Sequence, residues 1–516
     1  MFVSAITTVK ADASRLSEYK KGRMTSSPVH VQKSGFVPSF LGKSKVYSDQ
    51  IEALKIDLKA YPNDIEYRKQ LMTNAGMNTS EYYKLRSIIG KDEMKSIMAD
   101  FNEHEEFYSV GVNDENIINK KIRANLHIHT VASDGYLTTR ELLDKAAVYA
   151  DEVAAQNPSF KKEPFIIAIT DHDATESTKE AIEIIAKDPL KYKNLRVILG
   201  AEITTYNDIV TKSAKYAKDA HILAYGIDPN EKKFDNFIES TKQGKNKIAE
   251  KMINQANNTY KKALNKQNNL FSLEEAHDFY NPLKKNIIGI YNYMERYLET
   301  KFALEDVILK NPTLVEKLKQ NNLPTNSNGL MKQIKEFYFN IDHNNSPRDL
   351  MQTIPTTLAK PLKMEKETIE NIIRVGLQSD SLAAFSNNLK TDLEQYKRTI
   401  NPKYNYMPTM GTLFDALKNQ DSAVIGIAHP LDTVRTIKTP KEKGEFLVDL
   451  YRQFKQTCKE KAVFSEVYYQ SYSEESKKLK DSDKVKALLN ALSKKLKLFK
   501  TGSADSHRTN IFKRLF

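Results

Sequence analysis

The feature that most constrains the fold is a series of short apolar runs, most of them followed by a turn and a helical segment. Each run has the length and composition of a β-strand. Strands that alternate with helices predict a parallel sheet, and seven or eight such units predict a closed α/β barrel. There are seven runs: ANLHIHT (124–130), FIIAITD (165–171), LRVILGAEI (195–203), AHILAYGI (220–227), AVIGIAHP (423–430), VFSEVYY (463–469) and KLFKTGSADSH (497–507).

A long helical interval separates the fourth run from the fifth. Its apolar residues recur three and four apart, and no β pattern interrupts them. An interval of this length at the rim of a barrel is more consistent with a folded cap, which would exclude water from a site, than with a loop. We therefore predict a flexible N-terminal arm (1–46), a helical accessory region (47–121), two barrel parts (122–228 and 420–516) and a helical insertion between them (229–419).

Two helix starts carry the spacing of a capping box, in which side chains satisfy the free amides of the first turn. Thr138 and Glu141 open one helical segment, and Ser177 and Glu180 open another. Both helices follow directly after a predicted strand. The two helix starts support the assignment of alternating strands and helices.

Composition indicates the cellular compartment and the number of domains more clearly than the chemistry. The chain has 516 residues, which is too long for one core, and Cys458 is its only cysteine. No run approaches the roughly 18–20 apolar residues that span a bilayer. We expect a cytoplasmic protein with no membrane contact. The net charge of +13 suits a phosphate-rich substrate or a short nucleic acid, or equally a lysine-rich surface that maintains solubility.

Histidine is concentrated in these strands. Six of the ten histidines lie in or next to a run, together with two aspartates and one glutamate. Alternate residues of a strand point to one face, so His127 and His129 share a face, as do Asp505 and His507. The clustered residues are His127, His129, Asp134, His172, Glu202, His221, His429, Asp505 and His507.

Most of these residues lie where a barrel places its active site. His172, Glu202 and His429 follow apolar stretches, at the carboxyl ends of their strands. His221 instead begins its run, so either that strand is reversed or the side chain reaches the site from the preceding loop. Such convergence of imidazole and carboxylate groups predicts a metal site and favours Mn²⁺, Fe²⁺ or Zn²⁺ over Mg²⁺.

Simpler roles exist for individual residues of this set. A single histidine on an apolar strand is often only a core residue with its hydrogen bonds satisfied. Asp171 and Asp173 either orient His172 through a hydrogen bond or serve as turn formers and helix caps. The joint pattern at several strand ends is what distinguishes a metal site from such isolated cases.

The motifs resemble, in order, those of the polymerase-and-histidinol-phosphatase (PHP) family. The matching segments are LHIHT followed by SDG, then TDHD, GAE, HILAYG, AHP and GSADSH. The SDG segment, the YMPTMGTLFDAL segment (406–417) and SEVYY favour the branch that acts on nucleotides and short oligonucleotides. The resemblance implies a distorted (β/α)7 barrel, with the helical insertion and an N-terminal helical extension added to it.

The resemblance also implies a ligand set for two or three divalent ions. Glu202 would bridge the first two ions, and we single out Asp134, His172, Glu202 and His507 as the catalytic residues. The first ion would be held by His127, His129, Glu202 and Asp505, the second by Glu202, His221 and His429, and the third by Asp134, His172 and His507.

The expected function is hydrolysis of a phosphate ester by hydroxide that bridges the ions. A nucleotide is the first candidate substrate. The alternatives are a 5′-to-3′ exonuclease on RNA or DNA, a phosphatase of another small phosphomonoester and a basic scaffold without catalysis. The sequence leaves the oligomeric state open. Four cationic residues are candidates for holding the phosphate: Arg435, Arg508, Lys245 and Lys247.

Overall fold

The protein is described from a computed structural model. The predicted arm and most of the accessory region lie outside the described residues, so both remain predictions. Everything described belongs to the unit Lys43–Phe516. The structure describes scattered residues between 96 and 107, and residues 114–157, 165–206, 219–280, 287–340, 359, 363, 365–376, 383–391, 408–420, 422–434, 437–458, 461–469, 482–507 and 510–512.

A single seven-stranded sheet forms the centre of the fold, with its strands in chain order. All seven predicted strands are present. Most residues of these strands are buried, as expected for a sheet with helices outside it. The strands are β1 (Ala124–Ile128), β2 (Phe165–Ile169), β3 (Leu195–Tyr206), β4 (Asp219–Tyr225), β5 (Val424–Ile427), β6 (Ala462–Tyr469) and β7 (Phe499–Ser503).

The sheet curls until its first and last strands meet. Ile128 at the end of β1 forms a parallel bridge with Ser506, just beyond β7. Two backbone hydrogen bonds hold this contact, from His129 N to Ser506 O (2.9 Å) and from Ser506 N to His127 O (3.0 Å). The result is a nearly closed barrel with helices around it, which confirms the predicted fold class.

One strand departs from the predicted parallel sheet. β4 pairs antiparallel with both β3 and β5, whereas the other neighbours in the sheet are parallel. Twelve residues separate Tyr206 from Asp219. A connection of this length permits either direction, and the pairing of β4 with β3 and β5 is what shows that the strand is reversed. The expectation of an all-parallel sheet was therefore wrong at β4.

The described helices occupy the outside of the barrel and the insertion. They are α1 (Asp114–Ile118), α2 (Thr139–Gln156), α3 (Glu176–Lys187), α4 (Lys232–Leu264), α5 (Leu273–Tyr280), α6 (Ile287–Ala303), which continues into a π-helical turn (Leu304–Ile308), α7 (Pro312–Gln320), α8 (Ser327–Asn340), α9 (Lys366–Gly376), α10 (Met410–Ala416), α11 (Pro430–Thr433), α12 (Pro440–Thr457) and α13 (Ser482–Leu496).

The two predicted capping boxes have different outcomes. Thr138 and Glu141 form the reciprocal capping box at the start of α2. The second prediction was wrong, because α3 already begins at Glu176 and its N-cap, Thr175, makes no capping hydrogen bond through its side chain. Ser177 lies inside the helix and donates its hydroxyl hydrogen bond to Asp171. The hydroxyl of Ser177, which the sequence spacing predicted as a helix cap, is therefore hydrogen-bonded to the buried carboxylate of Asp171 instead.

The barrel and the insertion have separate apolar cores. In the barrel, Tyr225 stacks on Phe464 with ring centroids 4.7 Å apart, and its hydroxyl donates to Leu126 O (2.8 Å). In the insertion, Phe302 stacks on Phe385 at 4.2 Å. Among the described helices, none is both long enough and apolar enough to cross a membrane.

Candidate metal centre

The structure brings the nine predicted ligands into one pocket at the end of the barrel, where eight are buried and the side chain of His221 is 29% exposed. Eight of them supply ligand atoms to three overlapping groups, and within each group these atoms lie within 4.8 Å of one another. The ninth, His429, places Nε2 2.8 Å from Oε1 of Glu202. The three groups are His127, His129, Glu202 and Asp505; His129, Asp134, His172 and His507; and His172, Glu202 and His221.

The first group is built by β1, β3 and the segment after β7. His127 and His129 point to the same side, as the strand period requires. Their Nε2 atoms lie 3.0 and 3.2 Å from Oε2 of Glu202. Asp505 Oδ1 lies 3.4 Å from His127 Nε2 and 3.2 Å from His129 Nε2. Two imidazoles and two carboxylates therefore converge.

The second group is centred on Asp134. Its Oδ1 atom lies 3.2 Å from His507 Nε2 and 3.7 Å from both His172 Nε2 and His129 Nδ1. The ring of His129 stacks between those of His172 and His507, with centroids 4.5 and 4.2 Å away. His129 thus touches both groups through its two ring nitrogens. A single imidazole couples them.

The third group explains the position of His221. Because β4 is reversed, the start of this strand lies at the same end of the barrel as the carboxyl ends of its neighbours. The first of the two alternatives for His221, a reversed strand, is therefore correct. His221 Nδ1 lies 2.9 Å from Oε1 of Glu202, and His172 Nδ1 lies 3.2 Å from Oε2. Glu202 is thus shared by the first and third groups.

The backbone around the pocket is held in unusual conformations. Asp173, His429 and Asp505 have φ values of 49°, 25° and 50°, in the left-handed region that residues other than glycine seldom adopt. Such residues concentrate at functional sites. Gly135, after Asp134, has no room for a side chain, since a Cβ atom there would lie 2.2 Å from His129 O.

The electrostatics of the pocket separate two kinds of histidine. Burial lowers the pKa of His129, but the carboxylates of Asp505 and Glu202 outweigh it and raise the pKa to about 9. The pKa of His127 is likewise raised, by Glu202 against burial. Burial holds the pKa values of His172 and His507 below the ordinary range.

The pKa values of the carboxylates move in the complementary direction. Burial tends to raise the pKa of Asp134 and of Glu202, but neighbouring imidazoles outweigh this tendency and hold both pKa values well below the ordinary range. The acids are therefore ionised in a pocket that water barely reaches. Such a pocket needs positive charge from protons or from metal ions.

The donor set fits divalent metal ions. Nε2 of His129, Nδ1 of His172 and Nε2 of His507 are buried and make no hydrogen bond to other described residues. Each nevertheless lies 3.2 Å from a carboxylate oxygen. Ring nitrogens that approach acids without hydrogen-bond geometry are placed as they would be around a shared cation.

A residue absent from the predicted set, Glu466, orients two of the proposed ligands. This fully buried carboxylate lies 3.1 Å from His127 Nδ1 and accepts hydrogen bonds from His429 N (2.6 Å) and from the hydroxyl of Ser503. A carboxylate on the far nitrogen of a ligating histidine fixes its tautomer and ring orientation. The signal in the sequence was an acidic residue within the apolar strand SEVYY.

Asp171 supports the loop that carries Asp134. The interpretation that it orients His172 is therefore not the one that its hydrogen bonds favour. It accepts hydrogen bonds from Thr130 N (2.7 Å), Thr130 Oγ1 (2.8 Å) and Ser133 Oγ (2.6 Å). These contacts join the end of β2 to the loop after β1.

The predicted phosphate-binding cations have different surroundings. Lys245 is buried, with Nζ 2.5 Å from Asp173 Oδ2, and Lys247 is exposed on the same helix. Arg435 and Arg508 lie outside the described residues. All four therefore stay predictions as substrate contacts.

Fold and site together define a nearly closed α/β barrel with a buried pocket of metal-ligating side chains at one end. In sequence, the chain is 30% identical over 129 residues to a 3′,5′-nucleoside bisphosphate phosphatase of Chromobacterium violaceum, which is 25% of this chain and 36% of the relative. It is 38% identical over 103 residues to an uncharacterised protein of Methanocaldococcus jannaschii, 19% of this chain and 41% of that one. The chain thus spans well under half the length of either relative.

The first of these relatives is a phosphatase by its name, and no protein-family model matches the chain. Among solved structures, a candidate metal-dependent phosphoesterase of Bifidobacterium adolescentis aligns with a TM-score of 0.35 and 15% identity, covering 76% of this chain and 90% of the other. An amidohydrolase of Chromobacterium violaceum with bound sulfate and no metal aligns with a TM-score of 0.37 and 16% identity, covering 75% and 87%. Scores this low carry no weight for the function.

Proposed function

We propose that this chain is a metal-dependent phosphoesterase that hydrolyses phosphate esters of nucleotides or short oligonucleotides. One observation carries the proposal: buried imidazole and carboxylate groups from separate strands form three adjoining ligand groups. The phosphatase of Chromobacterium violaceum, which acts on nucleoside bisphosphates by its name, supports a phosphorylated small molecule as the substrate.

The proposed ligands fall into sets that would each hold one metal ion. Glu202 reaches His127 and His129 with one carboxylate oxygen and His221 and His429 with the other, so it is suited to bridge two sites. Asp134, His172 and His507, which belong to the second group, would hold a further ion. Divalent ions bound there would lower the pKa of a water molecule and neutralise charge on the phosphoryl oxygens.

The chain supplies the surroundings for that chemistry. Glu466, which accepts a hydrogen bond from Ser503, holds the ring of His127, and Asp171 holds the loop of Asp134. Because most of the ligands are already buried and oriented, little reorganisation is needed when ions bind. The number of histidines favours Mn²⁺, Fe²⁺ or Zn²⁺.

Activity assays on the Mn²⁺-loaded protein test the proposal. Substrates would be nucleoside 3′,5′-bisphosphates, mononucleotides and 5′-phosphorylated oligonucleotides. We expect phosphate release from the bisphosphates, abolished by a chelator. A marked preference for oligonucleotides that weakens steeply with salt would identify an exonuclease instead. Metal-loaded protein that hydrolyses none of these substrates would contradict the proposal.

A further inference from the structure

The first helix of the insertion joins the two apolar cores. The buried residues near the start of α4, such as Phe234 and Ile238, pack into the core of the barrel, whereas those from Ile248 onward pack into the core of the insertion. Lys245 lies between these two stretches, and its side chain is only 2% exposed. The insertion therefore places an ammonium group in the interior, near the point where the cores adjoin.

The partner of this ammonium group is Asp173, directly after His172. The Nζ atom of Lys245 lies 2.5 Å from Oδ2 of Asp173, and both side chains are buried. A buried charge is strongly unfavourable unless an opposite charge accompanies it. Each member of the pair is thus held in place by the other.

Asp173 is in turn fixed to the strand that carries Glu202. Its backbone N donates to Glu202 O (2.9 Å), and its Oδ1 accepts from Thr204 N (3.0 Å). Its φ of 49° is maintained by these contacts. A shift of Asp173 would therefore move His172, its neighbour in the chain, and Glu202, its neighbour in the sheet.

We propose that Lys245 is a positioning residue through which the insertion holds the metal centre in its binding geometry. The inference rests on the proposed function. Lys245 compensates the buried charge of Asp173, so that Asp173 keeps its hydrogen bonds to the strand of Glu202 and holds the adjacent His172 in place. The insertion is then part of the site and does more than cover it.

Replacement of Lys245 by the uncharged Lys245→Met tests this role. Lys262→Met is the matched control, because Lys262 lies exposed at the far end of the same helix. Affinity for Co²⁺ would be measured by competition with a chelator, together with the absorption spectrum of the bound Co²⁺. We expect Lys245→Met to bind about 10–100-fold more weakly, as for other groups that orient ligands, and to change the spectrum. Lys262→Met should match the unaltered protein.

Two results would overturn the inference. One is a folded Lys245→Met protein with unchanged Co²⁺ affinity and spectrum. The other is a raised KM with unchanged metal affinity, which would make Lys245 a substrate contact. If the unaltered protein itself bound no Co²⁺, the proposed function would fail, and this outcome is distinct from both.

A second variant covers the case in which Lys245→Met does not fold. Lys245→Met combined with Asp173→Asn removes both charges and leaves an oxygen that accepts from Thr204 N. We expect this neutral pair to fold and to recover most of the Co²⁺ affinity. If Lys245→Met folds, a neutral pair that binds Co²⁺ no better than this single variant would overturn the inference. If Lys245→Met does not fold, a folded neutral pair that binds no Co²⁺ would overturn it.

Discussion

At the scale of single residues, the pocket consists of acidic and imidazole side chains. They lie close together because side chains alternate along a strand and because the strand ends meet at one end of the barrel. His127 and His129 could be placed on one face from sequence, because that relation depends only on the alternation of side chains. The role of Glu466 could not be predicted in this way. A lone acid in an apolar strand becomes a ligand-orienting group only when the sheet places it beside His127, 339 positions away in sequence.

Removal of His129 is expected to abolish metal binding and activity. This residue touches both Glu202 and Asp134, so His129→Ala disrupts two ligand groups at once. We expect a loss of activity of about a thousandfold or more, since bound metals supply several kcal/mol of transition-state stabilisation. Metal analysis and initial rates would measure it. His104→Ala, an exposed histidine outside the pocket, is the control, and a metal-bound, active His129→Ala would refute the ligand assignment.

Neutralisation of Glu466 is expected to weaken metal binding without removing a ligand. Glu466→Gln keeps the shape of the side chain but loses the charge that orients His127. We expect affinity for Mn²⁺ to fall about 10–100-fold, measured by chelator competition. Glu445→Gln, an exposed change on α12, should have no effect. Equal affinities in the two variants would show that Glu466 is only a structural residue.

At the scale of elements, the sequence was informative wherever local pattern decides structure. All seven strands and the capping box of α2 follow from short-range spacing. The direction of β4 does not, because a short apolar run reads the same in either orientation. The start of α3 was also mispredicted, since the buried acid Asp171 binds the hydroxyl of Ser177.

The capping box of α2 provides a test at this scale. Thr138→Ala removes the side chain that accepts from Glu141 N. We expect the free energy of unfolding to fall by about 1 kcal/mol, measured by urea denaturation. Thr138→Ser, which keeps the hydroxyl, should fall by much less. If the alanine and serine variants were equally stable, the cap would contribute nothing.

At the scale of the whole molecule, one barrel and one insertion meet beside the metal pocket. The sequence predicted an insertion with helices, and the described residues between 232 and 416 contain helices and no strands. What it could not predict is the ion pair between Lys245 and Asp173, because that contact depends on the path of α4 between two cores. The boundaries of the predicted domains remain predictions.

Metal ions are expected to stabilise the entire fold. The pocket joins β1, β3, β4 and the segment after β7, so ions that bind only the folded chain shift the unfolding equilibrium. At a free concentration of about 100 times Kd, one site contributes about 2.7 kcal/mol. We expect Tm to rise on addition of Mn²⁺ and to fall with a chelator, as followed by calorimetry. Asp505→Asn should reduce this response, and a Tm independent of metal would argue against a shared site.

The central claim is that side chains far apart in sequence gather several divalent ions in one pocket. Anomalous X-ray scattering from crystals grown with Mn²⁺ tests it most directly. We predict adjacent manganese peaks within the three ligand groups, with Glu202 in contact with two of the ions. A map with no peak among these groups at full Mn²⁺ loading, or with manganese bound only elsewhere, would contradict the claim.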